Sequence, residues 1–167
     1  GSVRGIYDYY GNQINQNGQV VDHTGEYVAD VTQELTEQAI RRAAGRDPFF
    51  IWQSNVAPHG ASYPTGSGYR WGPPMPAEQD EALFSDLPLE ASSKPSFNER
   101  VVSDKPDSMT TLRPLTRGAI ARLLAYHQGR IRSLQAIDRN VRDTVALLSD
   151  LGELDNTLII FTSDNGF

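Results

Sequence analysis

Apolar and polar positions alternate with distinct rhythms along this chain, and each rhythm predicts a different element. Between Tyr27 and Ala44, Val28, Val31, Leu35 and Ala39 recur at three- and four-residue steps, the spacing of one helix face, and Gly45 is a natural stop. "DPFFIWQS", Asp47 to Ser54, is then a short unbroken apolar run that reads as a buried strand. From Thr116 to Leu151 the helical steps return, from Ile120, Leu123 and Leu124 through Ile131, Leu134 and Ile137 to Val145, Leu148 and Leu151. They predict one helix of about 50 Å at 1.5 Å per residue. Its solvated face is read as Arg122, Arg130, Arg132, Arg139, Arg142 and Asp143, and Gly152 ends it. Asn156-Thr157 leads into the β-prone "TLIIFTS", read as a core strand over 157–163.

Two stretches lack this order. Residues 1–25 mix Asn, Gln, Gly and Tyr, with Asn17-Gly18 as a hairpin signal between two short strands. The interval 55–115 holds nine of the ten prolines, which deny it a ladder or a long helix. Connections beyond roughly 12–15 residues are either functional or disordered. The spread of Tyr63, Tyr69, Trp71, Phe84 and Phe97 favours an ordered excursion that covers a binding cleft.

Strand, crossover with a long helix, strand is the grammar of an α/β fold, here part of a mostly parallel sheet flanked by helices. Ligands in such sheets gather outside the carboxyl ends of the strands. Ala57-Pro58-His59 follows the first strand and Asp164-Asn165-Gly166 the last, so both are expected on one crevice.

Composition narrows this picture only a little. The chain has 167 residues, one domain's worth, with 38% hydrophobic and 22% charged residues as in an ordinary globular domain. A net charge of −6 without a Lys/Arg block argues against nucleic acid as partner. The apolar runs are too short to span a bilayer, and the first residues are not a signal peptide. With no cysteine there is no disulfide, thiolate ligand or cysteine nucleophile in these residues.

The candidate chemistry sits in the two strand-end motifs. Asp164 and Asn165 offer a carboxylate and an amide carbonyl, hard oxygen donors suited to Ca²⁺ or Mg²⁺, and Gly166 permits the backbone to curl them together. Asp-Asn-Gly is equally a generic turn sequence, and two donors do not complete a shell of about six. His59 is placed to hydrogen-bond an anion or shuttle a proton, with a surface histidine as the plain alternative. His127 lies on the apolar stripe and His23 in a polar turn. Lys94 and Lys105 read as solvated loop lysines. No Gly-x-Ser-x-Gly elbow, Walker loop or Gly-x-Gly-x-x-Gly is present.

Three segments carry a family resemblance: "DPFFIWQSNVAPHG", "PSFNERVVSDKP" and "QGRIRSLQAIDRNVRDTVALLSDLGELDNTLIIFTSDNGF". In this order they resemble the sulfatases of the alkaline-phosphatase superfamily, arylsulfatase-like and glucosamine-sulfatase-like members in particular. The resemblance implies a sulfate ester hydrolase acting on small-molecule or carbohydrate sulfates. Asp164 and Asn165 match the late pair of ligands to its divalent cation, usually Ca²⁺ with Mg²⁺ as alternative. His59 matches the histidine that contacts the sulfate or assists the leaving group. The family's nucleophile is a formylglycine made within a Cys/Ser-x-Pro-x-Arg motif.

That motif has no counterpart here, since "SYPTG" and "SKPSF" both lack the arginine. The family's early acidic metal ligands are missing too. The resemblance therefore implies residues 1–167 as part of a catalytic domain, inactive and weakly calcium-binding alone, from an exported (periplasmic or secreted) or lysosomal parent. A phosphatase, phosphodiesterase or phosphonate hydrolase of the same superfamily, or a non-catalytic binding module, are the competing expectations. Unpaired sheet edges would make an isolated piece prone to associate.

Overall fold

The computed structural model describes residues 2–165 and mixes helices with small sheets. Strands β1 (Ser2–Arg4), β2 (Gln13–Gln16) and β3 (Gln19–Asp22) form an antiparallel sheet in that order. Asn17 and Gly18 close the β2–β3 hairpin with φ of 55° and 93°, the pair of positive φ angles that a two-residue primed turn needs. Helix α1 (Val28–Ala43) follows, then the hairpin β4 (Ala61–Thr65) and β5 (Gly68–Gly72). A single-turn helix, α2 (Asp107–Thr110), precedes α3 (Arg117–Asp150).

The sequence dictates both ends of α3. Thr116 accepts the Ala119 N–H at its N-terminus. At its other end Gly152 takes φ 73°, which lets Gly152 donate to the Ser149 carbonyl and Glu153 to the Leu148 carbonyl. No helix among the described residues is long and apolar enough to cross a membrane.

Helix α1 packs along α3 through a contact that is partly polar. The buried residues of α1 include Ala29, Gln33, Thr36 and Ile40, at four- and three-residue steps. Buried Asn140 donates to the Ala29 carbonyl at 2.9 Å, and Gln33 bonds Thr144 across the seam at 3.1 Å. Below this seam, Ile40, Leu147 and Leu148 form one core with Phe49, Ile51 and Leu154 against it. The larger core gathers Tyr9, Tyr27, Val28, Ala57, Ala61, Ala77, Ala136 and Ile137.

The proline-rich interval is hung on this frame by side chains that satisfy its carbonyls. Proline lacks an N–H, so these carbonyls cannot all enter regular ladders, and a buried carbonyl needs some donor. Tyrosine hydroxyls supply it: Tyr63 to Pro73 at 2.9 Å, Tyr27 to Met75 at 2.9 Å and Tyr10 to Pro76 at 3.2 Å. From α3, Gln128 donates to the Ser85 and Leu87 carbonyls and Arg132 to that of Leu83. Asn98 exchanges two hydrogen bonds with the backbone of Leu115. Gly129 allows the close approach: a Cβ there would lie 3.1 Å from the Pro74 carbonyl oxygen.

Several expectations are corrected. The prolines do not deny the 55–115 interval a ladder, because β4 and β5 pair within it and Pro64 takes a place in β4 opposite Tyr69. The parallel sheet is not found: every strand pair among the described residues is antiparallel, and neither Asp47–Ser54 nor Thr157–Ser163 carries ladder hydrogen bonds. The physical reason is that no strand among the described residues pairs with either segment. Phe49 and Ile51 face the helices, whereas Phe50 and Trp52 on the other side are 88% and 82% exposed. Arg139 is not on a solvated face either, because it grips the buried Asp80 carboxylate with two 2.8 Å hydrogen bonds.

Tyr27→Phe tests the tyrosine supports, since it leaves the Met75 carbonyl without its donor. It should cost about 1–2 kcal/mol, read as a lowered urea midpoint at unchanged slope. An unchanged midpoint would show that water replaces the hydroxyl.

Candidate active site

His59 stands at the end of a tight turn in which its N–H donates to the Val56 carbonyl at 2.8 Å, around a cis Ala57–Pro58 peptide. The turn is fixed from behind by Tyr9, fully buried, whose hydroxyl donates to the His59 carbonyl at 2.6 Å. Burial, with the Tyr63 phenol adding to it, pushes the Tyr9 hydroxyl far above the ordinary tyrosine value, so it stays protonated and remains a donor. Tyr9 also accepts the Val28 N–H at the start of α1, so the same residue ties helix and turn together.

The imidazole itself is exposed, but its state is constrained. Nδ1 lies 2.8 Å from the Gly60 carbonyl oxygen. A carbonyl only accepts, so Nδ1 carries a hydrogen. Nε2 is therefore an acceptor in the neutral ring and a donor when the ring is protonated, and it makes no hydrogen bond among the described residues. Such a group can donate to an anionic oxygen or pass a proton to it.

Two rings set the plane of that imidazole. Tyr7 stacks on it with centroids 4.4 Å apart and planes 29° apart. Trp71 meets both edge-on, 5.1 Å from Tyr7 and 5.8 Å from His59. Backbone register puts them there. Ser62 donates its N–H to the Tyr7 carbonyl at 2.9 Å and stands opposite Trp71 across the β4–β5 hairpin. Tyr7, Ser62 and Trp71 thus form one row beside His59. Sequence reasoning missed Tyr7 and Trp71; the two-residue loop Gly66-Ser67 between the strands was the available hint of a hairpin.

Asp164 and Asn165 are exposed beyond the Leu158–Phe161 segment. The Asp164 carboxylate has no hydrogen-bond or ion-pair partner among the described residues, while the Asn165 backbone carbonyl accepts the Ser163 hydroxyl. Gly166 lies outside the described residues. An unpaired carboxylate next to an amide fits two ligands of a hard cation. No group of three or more His, Asp or Glu among the described residues could hold a metal. The structure brings His59 to Tyr7 and Trp71. No hydrogen bond, ion pair or ring contact among the described residues joins Asp164 or Asn165 to it.

Of the other candidates, His23 and Lys105 are otherwise engaged. His23 bonds Gln16 and Glu26, each at 2.9 Å. His127 is half-buried, with Nε2 unpartnered. Lys105 pairs with Asp104 at 2.8 Å and Glu99 at 3.3 Å, which raises its ammonium above the usual lysine value. A cavity between α1 and α3 is lined by Asp30, Glu34, Glu37, Asp143 and Arg139 and does not include His59, Asp164 or Asn165.

The chain is 32% identical to an arylsulfatase of Volvox carteri over 96% of its own length and 26% of the relative's. It is 29% identical to the extracellular sulfatase SULF-1 homolog of Drosophila melanogaster, over 95% of this chain and 14% of that protein. Against the human N-acetylglucosamine-6-sulfatase the identity is 26%, over 95% of this chain and 27% of the relative. The chain thus spans about a quarter or less of these relatives. No solved structure gives a significant match. The family model described as Sulfatase matches residues 2–167, and the chain belongs to the sulfatase family.

Proposed function

We propose that the protein containing this chain is a sulfuric ester hydrolase of the formylglycine and calcium type, in which His59 acts on the ester and Asp164 and Asn165 hold part of the cation's shell. The observation that carries the reading is the His59 imidazole: its Nδ1 hydrogen is committed to Gly60, its plane is set by Tyr7, and Nε2 is open to a ligand. A protonated Nε2 would donate to a sulfate oxygen or deliver a proton to the departing alcohol oxygen. Tyr9 holds the turn so that this nitrogen keeps its direction while the proton moves. Asp164 and Asn165 would hold the cation from one side and orient the sulfate against it. When present, a formylglycine would supply the nucleophile and Ca²⁺ (or Mg²⁺) would offset the charge on the sulfate oxygens. Sulfate esters of small molecules or carbohydrates are the substrates this reading names. An exported or lysosomal setting fits it, since the Drosophila relative is named an extracellular sulfatase.

The test uses the whole protein and 4-nitrophenyl sulfate. His59→Gln should lower kcat by about 10²–10⁴-fold, because the amide can hydrogen-bond but cannot transfer a proton. Undiminished turnover would sink the role of His59.

Asp164→Ala removes the only carboxylate of the pair. After chelation, the calcium concentration that restores half the activity should rise about a hundredfold or more. A variant that reactivates at the same calcium concentration would remove Asp164 from the cation.

Residues 1–167 alone offer two of about six donors, so titration calorimetry should find only weak binding, with Kd of about 1 mM or above. The same preparation should release no 4-nitrophenol. Tight binding or turnover would contradict the division of the site assumed here.

A further inference from the structure

The β4–β5 hairpin carries two aromatic rings that the described residues leave largely exposed. Tyr69 is 70% exposed and Trp71 57% exposed. Residues two apart on a strand share a face, so both rings stand on the same side of β5. Arg70, between them, turns to the other side, where its guanidinium lies 5.2 Å from the Tyr63 ring centroid. Across the hairpin Tyr69 faces Pro64 and Trp71 faces Ser62, neither large enough to cover an aromatic ring. Trp71 continues directly into the Tyr7–His59 stack, whereas Tyr69 makes no ring contact among the described residues.

We propose that Tyr69 and Trp71 form a stacking platform that leads a chain of linked sugar rings to His59, with the sulfate-bearing ring on Trp71 and the next ring on Tyr69. The proposal rests on the reading of His59 as a site residue. Two positions along a strand are about 7 Å apart, so a ligand that engages both rings must itself be at least two rings long. A sugar ring suits such a surface. It has an apolar face for the indole or phenol and hydroxyls around its edge that stay in water, matching an exposed rather than enclosed platform. With a net charge of −6 and no cluster of basic residues here, the chain recognises the body of such a ligand by shape and ring faces rather than by its charge. A single aryl ring would reach Trp71 and Tyr7 and leave Tyr69 idle.

Tyr69→Ala is the decisive variant, because Tyr69 makes no ring contact with Tyr7 or His59 among the described residues. In the whole protein, KM for a chondroitin sulfate tetrasaccharide should rise about three- to tenfold, with kcat within twofold and the KM for 4-nitrophenyl sulfate unchanged. Trp71→Phe, which keeps a ring beside His59, should raise KM for both substrates. Tetrasaccharide binding is followed in parallel by quenching of tryptophan fluorescence, without reference to turnover. An unaltered tetrasaccharide KM and affinity in Tyr69→Ala, or an equal loss for both substrates, would overturn the platform. Binding that depends on Tyr69 in a protein that cleaves no sulfate ester would uphold the platform and sink the hydrolase reading alone.

Discussion

The structure depends on how a proline-rich interval finds donors for its carbonyls. Beyond the β4–β5 hairpin and the single turn of α2, this segment still has to satisfy its backbone oxygens, and it does so in large part with tyrosine. The phenol hydroxyl is a suitable donor because it is carried at the end of a large apolar body that packs into the core. Tyr9, Tyr27 and Tyr63 are all raised above the ordinary tyrosine value, with burial as the leading cause, so none loses its proton near neutral pH. One of these hydroxyls holds the His59 turn and others hold the Pro73–Pro76 stretch that packs under α3. The candidate site and the proline-rich excursion therefore share one set of supports. Disturbing the core beneath Tyr9 and Tyr27 would move both.

Parts of this were legible in the sequence for local reasons. The three- and four-residue spacing from Ile120 to Leu151 is the spacing of a helix, and the chain is helical from Arg117 to Asp150. Asn17-Gly18 needs two positive φ angles, and only a few residue types tolerate them, so its hairpin could be read from two letters. Gly152 announces the end of α3 for the same steric reason. What depended on distant partners was not legible. Arg139 is spelled like any solvated helix arginine, and only the fold brings Asp80, 59 residues away, into its reach. Gln33 and Thr144 look like surface positions until α1 and α3 meet. A run such as Phe49 to Trp52 declares strand propensity, yet a ladder also requires a neighbour, which no propensity supplies.

The site shows the same division. His59 could be singled out because an imidazole following Pro58 at the end of an apolar run is an unusual placement. Its tautomer could not, because that follows from the Gly60 carbonyl and the geometry of a four-residue turn. Tyr7 and Trp71 lie 52 and 12 residues from His59 and meet it only through the register of β4 and β5. Aromatic letters scattered through a proline-rich stretch carry no hint of which ring meets which.

The two halves of the proposed site are not equally prepared. His59 sits on a turn with a backbone hydrogen bond, a buried phenol behind it and a ring stacked on its face. Little remains to be ordered there, as the proposed proton transfer would need. Asp164 and Asn165 follow a segment in which Leu158, Ile160 and Phe161 are 85%, 76% and 75% exposed. Its backbone carries no ladder bonds among the described residues. Fixing each such residue costs about 1–2 kcal/mol of backbone entropy. Any part of that ordering left to the proposed cation would be drawn from its binding energy. Whatever pairs with residues 158–161 would remove the cost before the cation arrives. In the proposed site, cation affinity would therefore depend on the ordering of Leu158 to Phe161 as well as on the Asp164 carboxylate.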